Sequence, residues 1–290
     1  MRIKALVLSA ALAVSFVPAT GSAQGPIFNG VGAGDLIDFT TWNLYGSASA
    51  ANSTPGNGFT YSILSLTSPG TGGQGGAAFA PSTVTLDFNQ AFTISFDFYI
   101  SPGSVLAGDG MTFVLTTNDP NTVNSGSPLV PSGGSDLGYA NSGLSTSLAF
   151  AIDTFHFGSE PVSPSIQILE NGSVVPLAST ETGLADIRDP SYFQWGTTLS
   201  YTPSGKVDLT GTLTGTIKQF IGSQSFSVSA TVDGSSLDST PLYYGFTAGN
   251  GLADDGHHIS SAIPVPEPET YALMLAGLGL VGWRLRRSRA

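Results

Sequence analysis

Carboxylates are the residues whose types and placement could do chemistry in this chain. Asp109 sits in Gly108-Asp109-Gly110, between the alternating run Phe92–Ile100 and the apolar run Met111–Leu115. Asp153 ends a second apolar run, Leu148-Ala149-Phe150-Ala151-Ile152. A carboxylate at a strand end is an acceptor with about four lone-pair directions, suited to hydroxyl groups or to a hard cation. Gly-Asp-Gly is also simply a good turn, so a site and a turn both stand as readings of it. Acid–base and nucleophilic chemistry is poorly provided for. Histidine occurs only as His156, His257 and His258, and no Gly-x-Ser-x-Gly elbow accompanies them. Two residues before Asp153 stands Ala151, where a second acid would make a same-face pair for glycoside hydrolysis. The chain is therefore read as not an enzyme, with a glycoside hydrolase or lyase as the least favoured alternative.

The elements that must hold these residues are strands. Phe92, Ile94, Phe96, Phe98 and Ile100 share one face, and Thr93, Ser95, Asp97 and Tyr99 the other, as in a half-buried antiparallel strand. Phe59, Tyr61 and Ile63 alternate, as do Val84, Leu86 and Phe88; Val207, Leu209, Gly211 and Leu213; and Leu242, Tyr244 and Phe246. Asn171-Gly172, between Ile166–Leu169 and Val174-Val175, predicts a hairpin, and Asp233-Gly234 after Phe226, Val228, Ala230 and Val232 predicts another. No body segment has a helical period. Residues 67–80 contain Gly70, Gly72 and Gly75 in the spacing G-x-G-x-x-G, but no strand–helix context makes this a nucleotide loop, and a flexible surface loop is expected. Residues 117–136, rich in Asn, Ser, Pro and Gly, are expected to form a mobile loop near the acidic turn. The fold class is all-β, a jelly-roll β-sandwich.

Composition agrees. Of 290 residues only 10% are charged, with 37 glycines and no cysteine, so disulfides and thiolate metal sites are excluded. Residues 25–263 hold 3 basic and 18 acidic residues, a formal charge of −15. Such a body repels nucleic acid, which is excluded as a partner.

Both ends read as addresses. Residues 1–24 have a basic start (Arg2, Lys4), an apolar run from Ala5 to Val17 and small residues Gly21-Ser22-Ala23, a secretory signal helix. Residues 264–290 begin with Val265-Pro266-Glu267-Pro268, continue as an apolar run from Tyr271 to Trp283 and end in Arg284, Arg286, Arg287 and Arg289. The run is short of the roughly 20 residues of a full span, and the arginines belong on the cytoplasmic side. Motif, short membrane helix and basic tail together resemble the PEP-CTERM family of bacterial sorting signals. That resemblance implies export, transient anchoring in the inner membrane through the C-terminal helix, and processing near Pro268 by an exosortase-type enzyme. It also implies a destination in the periplasm, at the cell surface or in the extracellular matrix, and a link to exopolysaccharide and biofilm.

The body, 25–263, resembles another family. Asp38-Phe39-Thr40-Thr41-Trp42, Phe92–Ile100, Gly108–Leu115, Ala149–Phe155 and Leu242–Gly249 occur in the order found in legume-type (L-type) lectins, the concanavalin-like class. The resemblance implies a non-catalytic carbohydrate-binding domain with a polysaccharide or glycan as partner. It implies Asp109 as hydroxyl acceptor after a cis peptide, Gly133 or Gly134 as backbone donor, and contacts from the 250–255 loop, chiefly Leu252, Ala253 and Asp254. Tyr139 or Phe155 is the implied aromatic platform. The family's calcium and transition-metal ligands are mostly replaced: Ala151 stands for a Glu, Phe157 for an Asn, and Ser165 lies near the His position. Asp153 remains, with the Phe155 carbonyl, so calcium with substitute ligands such as Glu160 is the one cofactor left to consider. A structural or adhesive surface protein that has lost sugar binding on the same fold is the alternative.

Overall fold

The alternation of Phe92–Ile100 is realised: all five apolar side chains of this run point into the core and are at most 2% exposed. The computed structural model describes residues 37–53, 59–188, 195–205, 208–220 and 222–264. The signal region, the sorting tail with Val265, Pro266, Glu267 and Pro268, and both expected helices lie outside these residues. In chain order the strands are β1 (Asn43–Gly46), β2 (Ser49–Ser53), β3 (Phe59–Ser65), β4 (Gly75–Phe79), β5 (Val84–Thr85), β6 (Phe92–Pro102), β7 (Gly110–Thr116) and β8 (Ser147–Asp153). They continue with β9 (Ser165–Glu170), β10 (Ala178–Glu181), β11 (Trp195–Pro203), β12 (Thr210–Gln219), β13 (Ser225–Asp233), β14 (Pro241–Gly249) and β15 (Asp255–Pro264). One sheet runs β1-β4-β14-β7-β8-β9-β10, with β5 also on β14; the other runs β13-β12-β11-β6-β15-β3-β2. Among the described residues the only helical turns are two short 3-10 turns, and no helix is long and apolar enough to cross a membrane.

The two sheets enclose one core. Phe96 of β6 stacks on Phe113 of β7 at 5.6 Å and meets Phe246 of β14 edge-on at 5.0 Å, so the central strands of the two layers interlock through aromatic rings. A second apolar cluster covers the outer face of the larger sheet: Leu129, Leu137, Tyr139 and Leu144 pack on Val114, Ala149 and Ala151. Of the expected loop 117–136, Leu129 joins this cover while residues 125–128 stay exposed; the rest of the cover comes from Leu137–Leu144. The connection between β7 and β8 is a packed cover, which is why both strands are buried along their whole length on both faces.

Other local readings are corrected too. The glycine-rich stretch is not a surface loop throughout, because Gly75–Phe79 is β4, an interior strand between β1 and β14. Its small residues answer close approach: a Cβ on Gly76 would fall on the carbonyl of Leu66, and one on Gly75 on the carbonyl of Pro131. Asn171 and Gly172 do turn, with φ of 55° and 69°, but the returning strand starts at Ala178 rather than Val174. Asp233-Gly234 ends β13 without a hairpin, since β14 joins the opposite sheet.

Polar groups are buried in the smaller sheet. His257 and His258 both lie in β15. The Thr67 hydroxyl donates to the Asp255 carbonyl (2.8 Å), so it accepts from His257 Nδ1–H (2.7 Å) and Nε2 is left bare and buried. Burial holds His257 down to about 3 and His258, stacked on Tyr99 between Ser65 and Ser101, down to about 4. Both are neutral packing groups. Asp97, on the outer face of β6, is only 5% exposed, and its Oδ2 has no hydrogen-bond partner. Burial pushes its carboxyl up to about 7. Because the folded value is raised, ionisation costs stability above pH 7, and the cost fades as pH falls toward the unfolded value. Asp97→Asn is therefore expected to stabilise the protein by on the order of 2–4 kcal/mol at pH 8 and by almost nothing at pH 4. Urea melts of both proteins at the two pH values check this; equal stability at pH 8 contradicts it.

Candidate functional site

Chain topology gathers the site at one pole of the sandwich. The connections β6–β7 (103–109) and β14–β15 (250–254) both cross from one sheet to the other at this end. The segment following β8 leaves there as well, since Asp153 pairs with Gly110. Gly108-Asp109-Gly110 is more than a turn. A Cβ on Gly108 would crowd Asn250 Oδ1 (2.7 Å) and Asp255 N (3.0 Å), and Gly110 has φ of 141°, where a Cβ would fall on the Ile152 carbonyl. The amide of Thr154 donates to the Asp109 carbonyl (2.9 Å) and its hydroxyl to the Gly108 carbonyl, locking the acidic residue to the end of β8.

A pocket of about 360 Å³ opens over Asp109. Asp109 lines it and is 6% exposed. Gly134, Ser135 and Gly251 also line it, and Leu106, Phe155, Phe157, Leu252 and Ala253 give an apolar rim. Phe157 is 64% exposed and Leu106 63%. The Asp109 carboxylate is raised to about 6, mainly by burial, against a lowering hydrogen bond from the Gly251 amide; the Glu160 charge adds to the rise.

Asp109, Gly134, Leu252, Ala253 and Phe155 thus meet at one pocket. Gly133 and Asp254 stand outside its lining. The Gly134 amide donates to the Asn250 carbonyl (2.9 Å), so one of the two backbone donors that the resemblance implies is taken up inside the protein. Asp254 pairs through its backbone with Ser104. Asn250 holds the loop together: it is fully buried, its amide nitrogen donates to the Asp255 carbonyl (2.9 Å), and its backbone N–H donates to the Gln74 carbonyl (2.8 Å). Tyr139 is fully buried, with its hydroxyl on Ser147 Oγ (2.8 Å) and accepting from the Gly172 amide (2.9 Å). That corrects its reading as a platform for sugar stacking. The expected cis peptide before Asp109 is also corrected; among the described residues the cis bond is Ser163–Pro164. His156 is a solvent-exposed loop residue facing the Pro161 carbonyl. Leu106 and Ser135 were missed as lining residues, and Phe157 was noted only as standing at the family's Asn position.

The residues around Asp153 do not fit a metal ion. Its carboxylate accepts from Gln167 Nε2 (2.8 Å), Ser163 Oγ (2.7 Å) and the Phe155 amide (3.1 Å). Three of about four lone-pair directions face protons, which a cation would repel. Burial raises Asp153 to about 7. Glu160 accepts from the Phe157 amide (2.9 Å). Among the described residues no group of three His, Cys, Asp or Glu is arranged to hold a metal.

Comparison with known proteins bears on both parts of the chain. The PEP-CTERM protein-sorting motif matches residues 264–289. No curated protein matches the sequence. Among solved structures, basic winged bean lectin with Tn-antigen superposes with a TM-score of 0.57 at 20% identity, covering 81% of this chain and 95% of the lectin. The Bauhinia forficata lectin in complex with GalNAc gives 0.57 at 19% identity, covering 78% and 93%. The Lotus tetragonolobus seed lectin gives 0.56 at 20% identity, covering 79% and 95%. The fold is the legume-lectin sandwich, and the chain ends in a protein-sorting motif.

Proposed function

We propose that this chain is an exported, non-catalytic glycan-binding protein of the cell surface or extracellular matrix, and that the pocket over Asp109 is its binding site. The observation that carries the reading is a nearly buried carboxylate at the floor of an open pocket whose rim is apolar. A pyranose has the matching faces: hydroxyls for the carboxylate, and a C–H face or apolar substituent for Phe157, Leu106 and Leu252. The pocket offers one acid, whereas glycoside hydrolysis needs two flanking the bond. The sorting motif supports export, the periplasm and the envelope as route, and an exosortase-type enzyme as processing partner.

The test is a glycan array probed with the full-length protein, including N-acetylgalactosamine, the sugar named with one of the superposed lectins. Binding to a defined set of glycans without release of reducing ends is the expected result; no binding to any glycan overturns the reading. One observation favours a second reading, a surface adhesin without sugar binding: Leu252 and Phe157, both lining this pocket, are fully or largely exposed apolar residues. Cell adhesion that survives Asp109→Asn, together with an empty array, would support it.

A further inference from the structure

The pole is a place where the fold family uses metal ions and where this chain's residues do not suit one. Another cation stands close by. Arg188 is one of three basic residues in the body, and its side chain is 8% exposed. Its Nη1 donates to the carbonyls of Ser104 and Leu106 and to Asp255 Oδ1, each at 3.1 Å. Its Nη2 donates to the Val105 carbonyl (3.1 Å) and to Asp186 Oδ2 (2.8 Å). Three successive carbonyls and two carboxylates form an oxygen set of the kind that binds a hard cation, and a guanidinium fills it. Asp255, fully buried, accepts in turn from the amides of Gly103 (3.1 Å) and Gly108 (2.6 Å). Both ends of the 103–108 loop are thus tied to Asp255, and its three middle carbonyls to Arg188. This loop delivers Leu106 to the pocket rim and leads directly into Asp109.

The second half of the device lies on β8 and β9. Ala151 pairs with Gln167 and Asp153 with Ser165. The small Ala151 leaves the face open for the Gln167 amide to reach diagonally to Asp153. Gln167 also donates to Ser165 Oγ (3.0 Å). Protein donors therefore occupy the acceptor sites of the one acid left from the family's ligand set.

We infer that the binding pole is organised without metal, with Arg188 and Gln167 as positioning residues that hold the Asp109 loop and the Asp153 corner where the fold family employs metal ions. Calling this pole a binding site rests on the function proposed above; the way its loops are held does not. Arg188 carries the loop through charge-assisted hydrogen bonds that a lysine cannot reproduce, because one ammonium cannot span three carbonyls and two carboxylates.

The test needs no sugar, so its failure is distinct from failure of the glycan reading. Amide hydrogen exchange and thermal melting are measured on the full-length protein with EDTA, with calcium chloride and with manganese chloride. The wild type is expected to show the same melting temperature and the same protection of 103–110 and 151–165 in all three. Arg188→Lys is expected to raise exchange at Gly103 and Gly108 at least tenfold. In Arg188→Ala, guanidinium chloride far below unfolding concentrations is expected to restore part of that protection, a response that lost packing alone would not give. If Arg188→Ala does not fold, Arg188→Lys carries the test. Calcium or manganese raising the wild-type melting temperature or protecting these segments overturns the proposal. So does unchanged exchange in Arg188→Lys.

Discussion

Gly76→Ala is expected to leave little folded protein. Gly76 lies in β4, paired with Gly46 on one side and Ala248 on the other. A Cβ there would overlap the Leu66 carbonyl and come within 2.9 Å of Ser47 Oγ, which itself donates to that carbonyl. The obstacle is a backbone carbonyl, of a residue whose own amide is tied to the His257 carbonyl (2.9 Å), so the clash cannot be relieved by turning a side chain. A cost above about 3 kcal/mol is expected, a large part of the stability of an ordinary domain. Gly70→Ala is the control. Nothing lies within 4 Å of its Cβ, and its φ of 84° makes the change a matter of backbone strain alone, about 1 kcal/mol. Urea melts followed by tryptophan fluorescence separate the two. A Gly76→Ala midpoint equal to that of Gly70→Ala contradicts the packing described for β4.

Asp109→Asn should act in the opposite manner, on binding and not on folding. The variant keeps one acceptor oxygen and the side-chain shape but loses the charge-assisted bonds to ligand hydroxyls, each worth about 1.5–3 kcal/mol. Affinity is expected to fall about 10- to 100-fold. Stability at pH 7.5 should be equal or higher. The folded carboxyl is raised to about 6, so the ionised side chain costs stability above that pH, and the amide removes the cost. A variant that binds as well as wild type moves the site elsewhere; one that loses binding by unfolding fails the melting control.

The sequence carried the framework well because its strongest signals come from period-2 patterns. Phe92–Ile100 is amphipathic over its full length and sits in the middle of its sheet, so its inward face was legible. The order of turns and strands likewise pointed to the fold, and Asp109, Gly134, Leu252 and Ala253 came together in the pocket. Gly75–Phe79 was not legible as a strand because its sequence, Gly-Gly-Ala-Ala-Phe, is shaped by what crosses it and not by intrinsic preference. Tyr139 looked like an exposed aromatic in a glycine-rich loop. Its place is set by a second apolar cluster that forms only when the β7–β8 connection folds over the larger sheet. Arg188 and Gln167 were invisible as site residues for a related reason. Arg188 lies 82 to 84 positions from the carbonyls it binds, and Gln167 reaches Asp153 only through the pairing of β8 with β9, so no local spacing records either contact.

The most direct test of glycan recognition through an ionised Asp109 is calorimetric titration, across pH 5 to 8, with the tightest ligand found on the array. Affinity is expected to rise about tenfold from pH 5 to pH 7.5 with a midpoint near 6 in the wild type, and to be weak and flat in Asp109→Asn. A wild-type affinity independent of pH, or a pH dependence that persists in Asp109→Asn, would contradict the account.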